Sequence, residues 1–586
     1  MMNNINHIKW IKNEWKSHKA YVFILLFLTL LSTAVAVAYP FLFRQLIDSL
    51  EKSLSTPGQI NPMSPVHKIV LIMLIVGFVR VISSFYPGFR AYMNLLFEYV
   101  LRHRYFKYII EKDYRFFLKF RTGDLVTRLT NDIQDFPKIG WFLCSGIFRA
   151  FDSFIKILFC LVVMFLLSWK LTLLAMLPIP FMIAVFYIVS NKLHKSFEKN
   201  QEAISEINNQ LEMTFSGIKI IKAFVCEEKY KRFFSKALDN RFITELKLVK
   251  INTVLHLVYE YIDYFSMISI ILFGGYMVVK GEITIGTFYA FYTYLSMLIY
   301  PILDLPQLFV SGRQAFVCID RLEEIKNFPV ISYKSEVKKY IKNINNIRFE
   351  NVSFTYDDRN VKILDDISFK ITKGQKVLIL GSSGSGKSTI LGLLSGLLIP
   401  QNGQIYINDI PISEIQTDNL REFIGYVPQE PSLFSGTIQE NILFGKEMND
   451  IDEYETIINT VQMKDEIIQF LDKDQTLLGQ KGLSISGGQK QRLAIARALF
   501  KKPQVLILDD ITASLDAKKE ELLWEQISKL FQDLTAFIVS HRLSSLRYAD
   551  EVILLDSGKI SAYGKHEQLI KEHPQYKEFI QHHYKT

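Results

Sequence analysis

A glycine-rich segment in the second half of the chain has the spacing of a phosphate-binding loop. It follows the strand-like run 377–380 and precedes an apolar helical pattern over 389–398. In such a strand–loop–helix unit, backbone N–H groups close around the phosphates, Lys387 reaches the β- and γ-phosphates, and the Ser388 hydroxyl binds Mg²⁺. The segment therefore predicts an ATP site made by Gly381, Ser382, Ser383, Gly384, Ser385, Gly386, Lys387, Ser388 and Thr389.

Two aspartates follow a second strand-like run and could complete this site. The run 505–508 is continuously apolar and ends in Asp509 and Asp510. An isolated Asp pair would most simply end a strand and begin a turn. Beside a phosphate-binding loop, however, a carboxylate in this position organises Mg²⁺, so Asp509 is predicted to be a metal-side ligand.

The composition divides the chain into two unlike halves. Its 586 residues are 49% hydrophobic with a mean hydropathy of +0.15, and most of the 45 Phe lie between residues 20 and 310. A membrane-spanning helix needs about 20 apolar residues. Six such spans are predicted, at 21–43, 67–90, 140–168, 171–191, 255–279 and 286–309.

Charge and cysteine usage narrow the class of protein. The net charge of +9 comes largely from Lys and Arg that flank the apolar runs, which indicates membrane topology and no nucleic-acid partner. The long polar connections carry many of these cations, so the positive-inside rule places them and both termini in the cytosol. Four cysteines without CxxC spacing exclude a disulfide scaffold. An alternative for the first run is a cleaved signal peptide.

With these motifs in place, residues 20–586 resemble an ATP-binding cassette (ABC) exporter half-transporter of the multidrug or lipid exporter type. The resemblance implies an α-helical six-span transmembrane domain fused to a P-loop α/β nucleotide-binding domain with an α-helical signature subdomain. The expected divisions are a cytosolic segment at 1–19, the transmembrane domain at 20–316, a linker at 317–345 and the nucleotide-binding domain at 346–586. It also implies a multi-pass protein of the cytoplasmic membrane that works as a dimer.

The resemblance assigns roles to individual residues of the nucleotide-binding domain. Tyr356 matches the aromatic that stacks on adenine, and Gln429 matches a glutamine that senses Mg²⁺. His541 matches the switch histidine on the γ-phosphate, and Asp516 lies in a loop that crosses the dimer interface. The expected Mg²⁺ ligands are Ser388, Gln429 and Asp509; the catalytic set is Lys387, Gln429, Asp510 and His541; the signature that caps the partner's ATP is Ser486, Gly487, Gly488 and Gln489.

Two cytosolic segments of the membrane half resemble the loops that dock onto nucleotide-binding domains in this family. They are Thr122–Leu125 and Gly217–Phe224. They are expected to couple ATP use to transport.

The chain departs from the family's pattern after Asp509. Relatives that hydrolyse ATP briskly usually carry Glu where this chain has Asp510, and misplacing the attacking water by about 1 Å costs on the order of 10²-fold. Slow turnover at this site fits one subunit of a heterodimer with a sister half-transporter. The open alternative is a homodimer in which Asp510 acts through a relayed water. Smaller departures are Gln480-Lys481 before the signature and Ile485 within it.

Five ionisable residues inside the predicted spans are candidates for a substrate cavity. They are Arg80, Arg149, Glu260, Asp263 and Asp304. A belt of such charges would suit an amphipath, either a drug-like compound or a lipid. The alternative is that all five lie at headgroup depth, with Arg149 and Asp152 compensating each other three residues apart. Export of an amphipathic or hydrophobic substrate, a lipid flippase, and a regulatory ATP-binding subunit are the functions left open.

Overall fold

The computed structural model describes residues 4–55, 64–134, 138–330, 339–356, 361–447, 451–479, 485–510, 517–540 and 542–583. Its chain divides into two compact units. The first comprises Met1–Glu111 and Arg121–Phe328, and the second comprises Lys112–Phe120 and Pro329–Thr586.

The first unit is helical throughout its described residues. With α5, which belongs to the second unit, the helices up to residue 327 are α1 (Asn4–Ser17), α2 (Lys19–Ser55), α3 (Ser64–Ser83), α4 (Tyr86–Ile110), α5 (Tyr114–Lys119), α6 (Thr122–Leu129), α7 (Asn131–Gln134), α8 (Ile139–Trp141), α9 (Ile147–Leu167), α10 (Trp169–Met176), α11 (Pro178–Ser216), α12 (Ile218–Ala223), α13 (Glu227–Ser269), α14 (Gly275–Val279) and α15 (Ile285–Asn327). Short π-helical turns at Phe142–Gly146 and Ile270–Gly274 connect α8 to α9 and α13 to α14.

Long apolar helices with exposed side chains characterise this unit. Within the described residues, four helical stretches are long and apolar enough to cross a membrane: Lys19–Ser53, Val66–Ile110, Thr122–Leu167 and Glu227–Val279. Large apolar side chains such as Phe23, Phe78 and Leu166 are exposed on them. An apolar surface of this extent is stable in a lipid environment.

Polar tips of aromatic side chains tie α1 to the helices that it packs against. Trp10 donates its indole N–H to Glu323 of α15 at 3.0 Å, and Tyr105 of α4 donates its hydroxyl to the same oxygen at 2.7 Å. Glu14 accepts from Arg104 at 2.5 Å. Buried polar groups need partners of this kind, so α1 is held by specific contacts as well as by burial.

The second unit combines sheets and helices. Its strands are β1 (Asn346–Phe354), β2 (Leu364–Thr372), β3 (Lys376–Gly381), β4 (Asn402–Ile407), β5 (Ile410–Pro411), β6 (Ile424–Val427), β7 (Gly436–Thr437), β8 (Leu477–Leu478), β9 (Val505–Asp509), β10 (Thr535–Val539), β11 (Glu551–Asp556) and β12 (Lys559–Gly564). Its helices after α15 are α16 (Lys387–Leu394), α17 (Thr417–Glu422), α18 (Ile438–Leu443), α19 (Ile451–Thr460), α20 (Lys464–Ile468), α21 (Gly487–Phe500), α22 (Ala517–Leu530), α23 (His566–Glu572) and α24 (Pro574–His583).

A six-stranded sheet in the order β12-β11-β3-β10-β9-β6 forms the centre of this unit. All its neighbouring pairs are parallel except β11 with the edge strand β12. The continuous apolar runs of β3, β9 and β10 are buried along their length, as expected for parallel strands covered on both faces. A second, antiparallel sheet has the order β2-β1-β4-β5. In the parallel sheet, the carboxyl ends of β3 and β9 bring two sequence-distant loops to one edge.

Candidate nucleotide-binding site

The predicted phosphate-binding loop lies between β3 and α16. Gly381 and Gly386 have φ angles of +151° and +107°, which L-residues with a side chain rarely adopt. A Cβ on Gly381 would lie 2.4 Å from the carbonyl oxygen of Leu555, and one on Gly386 would lie 2.6 Å from Leu364 Cδ2. Only glycine fits these two positions, so the loop holds its backbone close to the neighbouring strands.

Lys387 begins α16 with its side chain folded back over the loop. Its ammonium donates to the carbonyl oxygens of Gly381 and Ser382, each at 2.8 Å. Burial lowers the pKa of Lys387 from its usual value, although Asp510 and Asp509 act in the opposite direction. No carboxylate of the described residues lies within ion-pair distance of the ammonium. A buried cation without a close counterion fits an anionic ligand.

Ser388 and Asp509 meet at the end of the loop. The Ser388 hydroxyl donates to Asp509 Oδ1 at 3.2 Å, and Asp509 is buried at the carboxyl end of β9. Burial raises the pKa of Asp509, and the Asp510 carboxylate raises it further. A nearby cation would relieve both effects.

The side chains present at this point fit a hydrated Mg²⁺. Mg²⁺ is usually held by one or two protein oxygens together with nucleotide phosphates and water. The Ser388 hydroxyl and the Asp509 carboxylate supply such oxygens, 3.2 Å apart. Ser388 and Asp509 would hold the ion, which neutralises charge on the phosphates when it is bound.

Asp510 follows directly and points toward the predicted sensor glutamine. Gln429 donates its amide to Asp510 Oδ2 at 3.4 Å, and Asp510 has a left-handed φ of +48°. The residue thus leaves the strand in a turn, while its carboxylate remains at the site.

One cavity of about 230 Å³ gathers most of the predicted ATP residues. Tyr356 lies at its wall, with its hydroxyl 3.3 Å from Thr389 Oγ1 and its ring edge-on to Phe354. The lining consists of Tyr356, Ile363, Ser383, Gly384, Gly386, Lys387, Ser388, Thr389, Gln429, Asp509, Asp510 and Val539. Gly381, Ser382 and Ser385 belong to the same loop but do not line this cavity.

The signature residues do not line this cavity; they form the N-terminus of α21. Ser486 is the N-cap of α21, and its hydroxyl accepts from the Gln489 backbone N–H at 3.2 Å. The Gln489 side-chain oxygen in turn accepts from the Ser486 N–H at 2.8 Å, which completes a capping box. Gly487 and Gly488 form the first turn, so their N–H groups lie at the positive end of the helix dipole.

Several predicted residues lie outside the described residues. These are His541, Asp516 and the pair Gln480-Lys481. The side chain of Asp263 also lies outside the part of the chain that the structure describes. Their assignments stay predictions.

Two of the five charges predicted for the substrate cavity, Arg149 and Asp304, form an ion pair in the structure. Arg149 lies 3.5 Å from Asp304, whereas Asp152 binds Lys156 at 3.0 Å and accepts from Thr33 at 2.6 Å. The predicted pair of Arg149 with Asp152 is therefore not formed. Arg149 is closer to Asp304 on α15, and Asp152 is closer to Lys156, four residues later on the same helix. Arg80 and Glu260 are exposed.

Sequence reasoning missed an ion-pair cluster in the first unit, which we call the arginine network. Arg128 binds Asp124 and Glu324, each at 2.8 Å, and Arg321 binds Asp124 at 2.6 Å and Asp132 at 2.5 Å. Asp124 lies in the predicted docking motif Thr122–Leu125, but here it joins α6 to α15. The preceding segment, Lys112–Phe120, belongs to the nucleotide-binding unit.

The sequence and the fold both resemble those of known proteins. Residues 22–302 match the family model of the ABC transporter transmembrane region, and residues 364–513 match the ABC transporter model. The probable multidrug resistance ABC transporter ATP-binding/permease protein YheI of Bacillus subtilis is 34% identical over 484 residues, 82% of each chain. The multidrug resistance-like ATP-binding protein MdlA of Buchnera aphidicola is 31% identical over 97% of each chain. A solved bacterial Atm1-family ABC exporter with ATP bound superimposes with a TM-score of 0.81 at 24% identity, over 97% of this chain and 99% of that one.

Proposed function

Because the chain belongs to the ATP-binding cassette transporter family as a half-transporter, we propose that it uses ATP to export amphipathic or hydrophobic compounds. The family predicted from the sequence is confirmed. The names of its relatives describe multidrug resistance and export. The single observation that carries the proposal is the cavity in which Lys387, Ser388 and Asp509 converge, in a chain that also contains long apolar helices.

The proposed membrane arrangement has six spans in the cytoplasmic membrane and the nucleotide-binding domain in the cytosol. Four helical stretches meet the length and hydropathy of a span. The two further predicted spans, 171–191 and 286–309, coincide with α10–α11 and with α15. Two nucleotide-binding domains would close around two ATP molecules and switch the spans from inward-open to outward-open, and hydrolysis would reset them.

ABC half-transporters work as dimers, and we propose that this one pairs with a sister half-transporter. Lys387 positions the γ-phosphate and Gln429 contacts Asp510, which takes the place of the usual glutamate. A carboxylate that is one methylene shorter holds the attacking water less closely, so the chain's own site turns over slowly. The capped helix α21 is intact and would serve the partner's site.

A regulatory subunit that binds ATP without hydrolysing it is the second candidate, and Asp510 is the observation that favours it. A lipid flippase is the alternative for the cargo. In that function Arg149, whose pair with Asp304 is 3.5 Å long and partly exposed, would hold a lipid phosphate.

The test is Mg²⁺-ATPase turnover of the purified chain in lipid nanodiscs, with Asp510→Glu and Lys387→Ala alongside and the oligomeric state recorded. We expect slow wild-type turnover, faster turnover in Asp510→Glu, and none in Lys387→Ala. Wild-type turnover near 1 s⁻¹ or above, which lies in the usual enzyme range of roughly 1–10³ s⁻¹, would establish a competent homodimer and reject the sister-subunit proposal. ATP binding with no turnover in any variant or assembly would favour the regulatory subunit.

A further inference from the structure

A single carboxylate, Glu466, connects the signature helix to two other helices of the nucleotide-binding unit. It lies on α20 and accepts from the Gln489 side chain of α21 at 2.9 Å. It also accepts from Arg492 of α21 at 2.8 Å and 2.7 Å, and from Lys519 of α22 at 3.1 Å. A carboxylate has about four acceptor sites, so these four hydrogen bonds saturate Glu466 and fix its orientation.

Two backbone carbonyl groups, of Gln462 and Lys519, complete a ring of hydrogen bonds with Glu466 and Arg492. Arg492 donates through its other terminal nitrogen to the carbonyl oxygen of Gln462 at 3.2 Å, and Gln462 donates its amide to the carbonyl oxygen of Lys519 at 3.1 Å. Gln462 has a left-handed φ of +54°, which lets one residue reach both helices. The start of α21 and the start of α22 are therefore held together through α20.

Glu466 contacts the N-terminal end of α21 through Gln489. The two ends of the Gln489 amide are both occupied, its nitrogen by Glu466 and its oxygen by the Ser486 N–H. Ser486 in turn accepts from the Gln489 backbone, so among the described residues its hydroxyl hydrogen is left to donate outward. The position of this donor is thus set, through one side chain, by Glu466.

The charges of the cluster also favour an anion. One carboxylate faces two cations, of which Arg492 is 5% exposed and Lys519 is 41% exposed. The excess positive charge lies beside the N-terminus of α21, whose dipole has the same sign.

We infer that Glu466 is a positioning residue for the ATP site of the partner subunit: it holds Ser486 and the first turn of α21 where they meet the partner's γ-phosphate, and it ties them to α22. The inference rests on the proposed function, since it needs a dimer in which each signature completes the other subunit's site. It deepens that proposal by naming the residue that sets the signature's geometry. Glu466 itself touches no nucleotide.

The test uses the full-length chain in the nanodisc assembly that hydrolyses MgATP, either a homodimer or a complex with a sister half-transporter. Glu466→Gln keeps the shape but removes the charge and, because one oxygen becomes an NH₂ group, two of the four acceptor contacts. We expect kcat to fall at least tenfold, because misplacement near 1 Å costs on the order of 10²-fold, with the KM for MgATP changed less than about twofold. Glu466→Asp keeps the charge and should recover part of kcat.

Three further variants separate positioning from folding. Glu455→Gln on the neighbouring α19 removes an exposed pair with Lys464 (3.3 Å) and should leave kcat unchanged. Lys519→Met leaves the buried Arg492–Glu466 pair intact and should lower kcat about two- to threefold, so the inference can be tested even if Glu466→Gln does not fold. Ser486→Ala removes the outward donor directly and serves as the reference.

The outcomes distinguish the inference from the function on which it rests. If Ser486→Ala lowers kcat and neither Glu466→Gln nor Lys519→Met does, the proposed function stands and the role of Glu466 is rejected. A rise in KM with kcat unchanged would reject it equally. If the wild-type assembly hydrolyses MgATP and Ser486→Ala has no effect, the proposed function stands and the inference about Glu466 is rejected. If no wild-type assembly hydrolyses MgATP, the proposed function itself fails and the inference falls with it.

Discussion

Charged side chains are arranged in opposite ways in the phosphate-binding cavity and in the arginine network. In the cavity, Lys387 is buried against backbone carbonyls, and Asp509 is buried beside a second carboxylate. In the network, Arg128 and Arg321 each face two carboxylates at 2.5–2.8 Å. One region leaves charge uncompensated and the other compensates it within the chain.

This difference separates a ligand site from a structural contact. An uncompensated buried charge costs folding free energy, so it persists where a ligand supplies the missing partner. A compensated cluster needs nothing from outside, and its loss is felt by the fold. Mutations in the two regions should therefore change different quantities.

Of the substitutions considered, Lys387→Ala should have the largest effect. It should lower the affinity for MgATP and leave the free energy of unfolding nearly unchanged. Removal of a buried cation from an anionic ligand costs about 2–5 kcal/mol, so we expect MgATP affinity to fall at least about 30-fold. The free energy of unfolding should change by less than about 1 kcal/mol, because Lys387 gives up two hydrogen bonds and also a desolvation cost. Equilibrium binding of a fluorescent ATP analogue and thermal unfolding without nucleotide measure the two quantities.

Two outcomes would contradict the assignment of Lys387 to a ligand site. A large loss of stability in Lys387→Ala would make the lysine structural. Unchanged nucleotide affinity would remove the cavity as the ATP site. Ser557→Ala, at an exposed turn of the same unit, is a suitable control that should alter neither quantity.

The cavity was predictable from sequence because its parts are local. The loop 381–388 joins one strand to one helix, and Asp509 ends a second apolar strand, so both are placed by the carboxyl edge of a parallel sheet. The arginine network joins residues almost 200 positions apart, from Asp124 to Arg321. No local pattern indicates which of the many basic residues in the polar connections meets which carboxylate.

The lack of a local sequence pattern also explains why Glu466 was not predicted from the sequence. Gln489 and Arg492 are three residues apart on α21 and share a face, which is a local signal. Their common acceptor lies 23 residues before Gln489, in a part of the sequence with no motif of its own. The intramembrane pair Arg149–Asp304 is a further case, since sequence placed both residues at similar depth but could not pair them.

Glu466 is a compensated carboxylate in the same unit as the uncompensated Asp509. Burial raises its pKa, but hydrogen bonds from Arg492, Gln489 and Lys519 outweigh burial and lower the pKa from 4.5 to about 2. A lowered pKa means that the stabilisation is complete above pH 4.5 and is lost as the pH falls toward 2.

Hydrogen exchange of the α21 amides measures this dependence. We expect the protection difference between wild type and Glu466→Gln to be constant from pH 7 to pH 5 and to shrink by more than half at pH 3. A difference that does not change over this interval would show that Glu466 is not compensated in the folded protein. Glu455→Gln should show little protection difference at any pH, since its pair is exposed.

Arg128→Ala tests the opposite region and should lower stability without changing nucleotide binding. Its guanidinium is 8% exposed and gives up contacts to Asp124, Glu324 and the carbonyl oxygen of Arg321. Because Asp124 and Glu324 are themselves partly exposed, we expect a loss of about 2–3 kcal/mol, at the lower end for a broken buried pair. Lys107→Ala, which removes an exposed pair at 3.8 Å, should cost less than about 0.5 kcal/mol.

The readout is thermal unfolding in nanodiscs beside MgATP affinity. Weaker MgATP binding by Arg128→Ala would show that the network contributes to the ligand site. An unchanged melting temperature would show that its ion pairs add nothing to the fold. Either result would remove the contrast with the cavity.

The smallest effect is expected at the Arg149–Asp304 pair. The two side chains are 44% and 34% exposed and only 3.5 Å apart at their closest atoms, so the geometry is that of a weak ion pair. A double-mutant cycle of Arg149→Gln and Asp304→Asn should give a coupling free energy below about 1 kcal/mol in thermal unfolding. A coupling of several kcal/mol would instead mean that the pair is desolvated and belongs with the arginine network. A weak coupling leaves both charges energetically available to a polar head of the cargo, which is the condition that a substrate cavity at this position requires.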